Sequence, residues 1–280
     1  MKNILIIGAN GFTGRRILND LSVNPIYHVT GCSLRDDICP GKDYRFVRTD
    51  IRDENEVRKL FKECRPDIVI NTSALSVPDY CETHHAEAEA TNVTAVETIA
   101  HVCEQYGSRF IHLSTDFVFD GKSTRLYKEE DEAIPVNYYG VTKLKAEKII
   151  ASICSNYAIV RVVVVYGKAL PGQHGNILQL VANRLRNGET IRVVSDQWRT
   201  PTFVGDISVG VEKLMFHTAN GIYHICGSEC LTIAEIAYRV ADFLKLDRSL
   251  IEPVTTEEMK ETTPRPRFSG LSIRSEEHTS

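Results

Sequence analysis

The 280-residue chain lacks any apolar run near the ~18 residues that a bilayer-spanning helix needs, so no transmembrane helix is expected. It also lacks an excess of basic charge. Charged residues make up 25% and the formal net charge is −4, which argues against a nucleic-acid footprint or a polybasic membrane surface. No Cys-x-x-Cys pair occurs. Cys32, Cys39, Cys64, Cys81, Cys103, Cys154, Cys226 and Cys230 are scattered, mostly in apolar segments, so buried thiols are expected in place of a disulfide framework or a zinc site. No metal is expected either, because His84 and His85 have no other ligand types at suitable spacing and read as surface residues. There is no internal repeat. The opening MKNILIIGANG has no signal-peptide layout and enters a strand at once, which points to a cytoplasmic protein. The length allows one large α/β unit or two lobes.

What is present begins with the apolar run Asn3–Ile7, which turns directly into Gly8-Ala9-Asn10-Gly11-Phe12-Thr13-Gly14 and then into a helix carrying Ile17 and Leu21. Glycines at such a strand–turn–helix junction let the backbone turn tightly and approach a pyrophosphate, whose charge sits at the helix N-terminus. The spacing is G-x-x-G-x-x-G, and the context predicts dinucleotide binding through Gly8, Asn10, Gly11, Phe12, Thr13 and Gly14. A second strand, Tyr27–Ser33, ends at Ser33-Leu34-Arg35, with Asp36 and Asp37 only afterwards. A hydroxyl and a guanidinium suit a 2′-phosphate, so NADPH is favoured over NADH, which stays open, as does a solvated Arg35 paired with those aspartates.

A third strand (Tyr44–Arg48), Asp50-Ile51 at its end, a helix (Glu54–Cys64) and a fourth strand (Asp67–Asn71) follow. Asp50 and Ile51 are cofactor-binding candidates. So are Ser73 and Ala74, whose small side chains would let a flat cofactor lie against the backbone, or would merely pack beneath a helix. Asn92 interrupts the apolar face of a helix running from His84 through Gln105 and suits a buried polar support for the site.

The fifth strand, Arg109–Leu113, delivers Ser114-Thr115-Asp116 to its C-terminal end, the edge where open parallel sheets bind ligands. A hydroxyl there can donate to a carbonyl oxygen as charge builds on it. After a loop, Asn137-Tyr138-Tyr139-Gly140-Val141-Thr142-Lys143 starts a helix. Residues four apart on a helix lie roughly 40° from each other, so Tyr139 and Lys143 share a face, whereas Tyr138 does not. A phenol titrates near pH ~10, and an ammonium one turn away would favour its ionised form. A sixth strand, Ala158–Val165, completes a β-α pattern repeated six times. The expected fold is a Rossmann-type, doubly wound parallel α/β sheet with a smaller C-terminal lobe.

These residues resemble the extended short-chain dehydrogenase/reductases. Leu113–Gly121 (LSTDFVFDG), Asn137–Glu147 (NYYGVTKLKAE), Asp196–Asp206 (DQWRTPTFVGD) and Arg265–Leu271 (RPRFSGL) narrow the resemblance to the dTDP-4-dehydrorhamnose reductase group. It spans nearly the whole chain, with weaker echoes at Asp79, Glu82, Arg161 and Gly167. It implies that Tyr139 is the general acid for a keto oxygen. Lys143 would lower the phenol's pKa and hold the nicotinamide ribose, and Thr115 would hydrogen-bond the same carbonyl. The implied reaction is NADPH-dependent reduction of the 4-keto group of a nucleotide-linked 6-deoxy sugar. Phe117 stands where nucleotide-sugar dehydratases carry a second acidic residue, which favours a reductase. Val164 stands where these reductases carry a pocket tryptophan, and Trp198 beside Arg199 also resembles the methionine adenosyltransferase β-subunit branch, a regulatory relative. A non-catalytic dinucleotide binder and an epimerase therefore stay open as alternatives.

The remaining candidates for substrate binding are Asp116, Asn176, Trp198, Arg199 and Arg265. Lys168–Asn176 reads as a loop over the site. Trp198 offers a stacking face and Arg199 a phosphate fork, although Trp198 would equally plug a lobe junction. The expected division is a dinucleotide-binding domain over 1–167, to which 206–226 returns, and a substrate lobe over 168–205 and 227–273. Homodimerisation is compatible with these residues and not required by them. Arg274–Ser280 is the translation of AGATCGGAAGAGCACACGTCT, a common sequencing-adapter sequence, so 274–280 is expected to be a non-native tail beyond a reading frame broken near Ile273.

Overall fold

The computed structural model describes residues 1–40, 43–173 and 175–273, and the tail expected at 274–280 lies outside them. In chain order the elements are β1 (Lys2–Ile7), α1 (Phe12–Ser22), β2 (Tyr27–Ser33), β3 (Arg45–Arg48), α2 (Glu54–Cys64), β4 (Ile68–Asn71), α3 (Pro78–Thr83), α4 (His85–Glu89), a π-helical turn (Ala90–Thr94), α5 (Ala95–Tyr106) and β5 (Arg109–Thr115). Then come a 3-10 turn (Asp116–Val118), α6 (Tyr138–Ile153), β6 (Tyr157–Val162), β7 (Val165–Tyr166), α7 (Ile177–Arg186), β8 (Ile191–Val194), β9 (Trp198–Arg199), β10 (Thr202–Phe203), α8 (Val204–Phe216) and β11 (Gly221–His224). The chain continues through β12 (Leu231–Thr232), α9 (Ile233–Leu244), a 3-10 turn (Arg248–Leu250), β13 (Ile251–Val254) and α10 (Thr256–Met259).

Seven strands form one sheet in the order β11-β6-β5-β4-β1-β2-β3, every neighbouring pair parallel, as the Rossmann-type expectation requires. The period of two along β1 explains why it sits at the centre. Ile4 and Ile6 point to a layer holding Ile17 and Leu18 of α1 and Ile207 and Val211 of α8. Leu5 and Ile7 point to the opposite layer, with Phe61 of α2, Val96 and Ile99 of α5 and Ile150 of α6. Each such side chain, fully buried, contributes roughly 1.5–3 kcal/mol. A separate core joins α7 and α9 to β8 and β13 through Val181, Leu185, Ile191, Ala237 and Ile251.

Several expectations need correction. Among the described residues no helix joins β2 to β3, so the β-α alternation is incomplete there. The helix expected from His84 through Gln105 is present as α4, the π turn and α5, with His84 as its N-cap, but a separate helix, α3, that was not expected precedes it from Pro78. The sixth strand does not run unbroken to Val165. Val163 is fully buried in a cluster with Phe119 and Tyr127, and its carbonyl accepts from the Thr202 backbone N–H at 3.0 Å and from Thr202 Oγ1 at 2.7 Å. That anchorage pulls the chain off the sheet. Val164 takes a φ of +38°, costly for a β-branched residue (about 1–3 kcal/mol), and β7 pairs with β10 instead.

Candidate active site

The glycine turn lies between β1 and α1. Gly8 has φ +83°, and a Cβ there would lie 2.7 Å from Thr72 Oγ1 and 2.8 Å from the Ser73 nitrogen. At Gly14 it would lie 2.3 Å from the Gly8 carbonyl oxygen, so both positions need glycine merely to seat α1 against β4. Gly11 is different: it is exposed, and a Cβ would meet only the Gly8 carbonyl oxygen, at 3.1 Å. It is also the N-cap of α1, with no side-chain cap and no acid in the first turn. The helix thus presents uncapped N–H groups, flanked by Phe12 and Thr13, to an open face, and this fits a pyrophosphate. Asn10 holds the turn to the end of β2, its backbone N–H donating to Ser33 Oγ and its amide to the carbonyls of Arg35 and Asp36. Gln173 Nε2 donates to the carbonyls of Asn10 and Gly11, which brings the Lys168–Asn176 loop across the turn.

Arg35 is exposed at the adenosine end of this face. Asp37 does not pair with it. Its carboxylate is engaged by Arg15, which is 2% exposed, and by the Tyr44 hydroxyl. Those hydrogen bonds hold Asp37 below the usual carboxylate range despite its burial. Arg15 went unnoticed in the sequence because an arginine on a helix normally faces solvent. Asp50 is bridged by Arg52 and held low by it, and Ile51 is buried in the core under α2. Ser73 donates to Asn71 Oδ1 and, with Ala74, stays partly exposed at the end of β4.

Across the sheet edge, β5 carries Thr115 to the start of α6. Asn137 caps α6 through the Gly140 N–H at 2.9 Å and is tied to the Pro264 carbonyl. Asn92, on the π turn, bonds both polar groups of Leu75 and donates to Thr142 at 3.0 Å, bracing α6 against the loop after β4. Thr115 and Tyr139 come together: a hydrogen bond with Thr115 acts on the phenol, and Phe117 lies edge-on to its ring at 6.0 Å. Burial, then the Asp116 charge, raises the Tyr139 pKa well above its ordinary value, Thr115 opposing. The Lys143 amine is engaged on β5 and not at the phenol. Its Nζ donates to the Leu113 carbonyl at 2.7 Å and lies 2.8 Å from His112 Nε2, because a buried amine must find partners and β5 supplies them. Burial lowers it to about 8. Below it, Glu147 pairs with Arg161 of β6 at 2.6 Å and accepts from Ser114.

The substrate candidates separate. Arg199 is not a free phosphate fork: it is 2% exposed, donates to the Trp198 carbonyl and Gln197 Oε1, and has Nε 3.6 Å from Asp116 Oδ2. Asp116 is 3% exposed and accepts from Ser269 and Thr115, so it too faces inward, and burial raises its pKa against the pull of Arg199. Asn176 spends its side chain on a capping box with Gln179 and on the Gly167 carbonyl. Arg265 pairs with Glu261 and Asp79. Trp198 remains 40% exposed, on β9 against β12. His84 and His85 stack on Tyr80 and Tyr138.

A model of the RmlD substrate binding domain matches residues 1–280. The chain belongs to that family. Its resemblance to extended short-chain reductases is thereby matched by whole-chain similarity. The RmlD-type chain is 32% identical over 276 residues to a spore coat polysaccharide biosynthesis protein, SpsK, of Bacillus subtilis, covering 98% of this chain and 90% of that one. It is also 32% identical to methionine adenosyltransferase 2 subunit beta of Xenopus laevis, covering 95% of this chain and 78% of that one. The crystal structure of dTDP-4-dehydrorhamnose reductase from Bacillus anthracis in complex with NADP superposes with a TM-score of 0.88 at 26% identity, covering 100% of this chain and 94% of that one. No helix among the described residues is long and apolar enough to cross a membrane.

Proposed function

We propose that the protein is an NADPH-dependent oxidoreductase that reduces the 4-keto group of a nucleotide-linked 6-deoxy sugar, as a dTDP-4-dehydrorhamnose reductase does. The observation that carries this reading is the meeting of Thr115 and Tyr139 at the C-terminal edge of β5, with an uncapped α1 N-terminus two strands away. A reduced nicotinamide bound along that edge supplies the hydride. Gly8, Gly11 and Gly14 would admit its pyrophosphate, and Arg35 with Ser33 would take a 2′-phosphate. Tyr139 would be the acid in this direction: its phenol is protonated through the neutral range, so the proton is present to be donated. Thr115 Oγ1 would donate to the keto oxygen as charge develops there. Trp198, exposed beside the site's second lobe, would face the nucleotide, whereas Arg199 and Asp116 would act as scaffold.

The 32% identity to the methionine adenosyltransferase subunit supports a second reading, a dinucleotide-binding regulator without turnover. The test is oxidation of NADPH with dTDP-4-keto-6-deoxy-L-mannose. Wild type is expected to turn over, and Tyr139→Phe to lose about 10²–10⁴-fold in kcat with NADPH affinity kept. NADPH binding without substrate-dependent oxidation would leave the regulator. Epimerised product with the cofactor unspent would point to an epimerase.

A further inference from the structure

Behind the phenol, on the side of α6 that faces the sheet, three polar side chains form a buried file. Asn71 at the end of β4 and His112 on β5 are 0% exposed, and Lys143 is 2% exposed. Their hydrogen bonds fix one another's protons. Asn71 Oδ1 accepts from the Ser73 backbone N–H at 3.0 Å and from Ser73 Oγ at 2.6 Å. Turning the amide over would set its NH₂ against that backbone N–H, donor against donor. The atom 3.1 Å from His112 Nδ1 is therefore Asn71 Nδ2, and Nδ1 is an acceptor. An imidazole whose Nδ1 accepts is neutral and carries its proton on Nε2. Nε2 lies 2.8 Å from Lys143 Nζ. An ammonium has no lone pair to receive that N–H, and only the uncharged amine does, while still donating to the Leu113 carbonyl.

We propose that His112 is a positioning residue for Lys143. Its Nε2–H, oriented by Asn71, holds the lysine amine uncharged in the cofactor-free protein on the alkaline side of neutrality, and cofactor binding draws the side chain away and recharges it. The balance is simple: the amine takes one proton from solvent and becomes an ammonium able to donate to ribose hydroxyls.

The groups that face Lys143 agree with this. On its own helix Glu147 favours the charged form, but that carboxylate is bound by Arg161 of β6 and by Ser114 of β5. From β5 come His112 and the Leu113 carbonyl, with the Phe110 ring edge-on to the imidazole. From β4 comes Asn71, and the π turn presents the neutral Asn92 to Thr142. Farther up the site, Asp116 and Cys81 act on Tyr139. Burial outweighs Glu147 and brings Lys143 to about 8, and burial with the Lys143 charge drives His112 well below its ordinary value.

The inference rests on the reductase reading only for the identity of the molecule that draws Lys143 away, and the two separate in experiment. Long-range ¹H–¹⁵N correlation on the histidine-labelled, cofactor-free protein at about pH 9, where the lysine amine is uncharged, should find His112 as the neutral Nε2–H tautomer. Calorimetry of NADPH binding in two buffers of different ionisation heat should show proton uptake near zero at about pH 6.5 and approaching one at about pH 9. Lys143→Met should abolish the uptake. His112→Glu should abolish it too, because a carboxylate there accepts from both Asn71 and an ammonium. An Nδ1–H tautomer or an imidazolium in the wild type would overturn the proposal without any variant needing to fold, as would wild-type binding at pH 9 with no proton taken up. If NADPH fails to bind while the Nε2–H tautomer is present, the reductase reading falls and the His112–Lys143 pairing stands.

Discussion

Replacing Lys143 with methionine should make the cofactor-free protein more stable near neutral pH, although the lysine belongs to the proposed machinery. The side chain is 2% exposed and its pKa is lowered from 10.5 to about 8, first by burial. A difference of that size at ~1.4 kcal/mol per unit corresponds to about 3 kcal/mol. The sign follows from which state binds more protons. Below pH 8 the group is charged in both states and the fold carries the whole desolvation cost. Between about 8 and 10.5 the unfolded chain holds the proton more tightly, so stability of the native protein rises with pH. Above that window the cost is gone. Methionine keeps most of the stem and removes the charge, but gives up the hydrogen bonds to the Leu113 carbonyl and to His112, worth about 1–2 kcal/mol together. The variant should therefore gain about 1–2 kcal/mol at pH 6.5 and lose about as much by pH 10.5. Urea unfolding of both proteins across that range reads the crossing directly. A variant less stable than wild type at pH 6.5, or a difference that does not change with pH, would refute the reasoning.

Other perturbations test separate parts. Gly14→Ala puts a methyl group 2.3 Å from the Gly8 carbonyl oxygen and 2.5 Å from Thr72 Oγ1, so α1 must move off the turn; NADPH affinity should fall at least about tenfold, by fluorescence titration, with about 1–3 kcal/mol of stability lost. Glu147→Gln leaves Arg161 charged and poorly paired in the core, where the pair is 2% and 3% exposed. It should cost about 3–5 kcal/mol in urea unfolding, and a loss under about 1 kcal/mol would mean that solvent reaches the pair.

The sheet could be read from the sequence because its signals are local. The apolar run of β1 and the turn from Ile7 into Gly8 are settled within a few residues, as is the capping box joining Thr232 to Glu235 at the start of α9. What could not be read depends on partners far away in sequence. The four valines before Tyr166 look like strand, and only Thr202, held against Val163, turns the chain at Val164. Arg199 looks like a phosphate ligand until Asp116 is found beside it. His112 lies in a strand whose other residues are apolar or terminal, and a single imidazole there gives no sign that Asn71 and Lys143 close on it from two other elements.

The spacing of tyrosine and lysine fixes a shared helix face and nothing more. Which way the lysine turns is decided by the groups that compete for its protons, and here the Leu113 carbonyl and His112 win over the phenol. The consequence reaches the direction of chemistry. A phenol whose pKa is raised by burial and by Asp116 is held protonated, and a protonated phenol is what ketone reduction asks of it. The Asp116–Arg199 pair then acquires a reason for being buried. It joins the end of β5 to β9, and with Ser269 it fixes the carboxylate close enough to keep Tyr139 protonated while the guanidinium limits the charge. The same two residues that would have been phosphate and substrate ligands on the surface act on the Tyr139 phenol from inside.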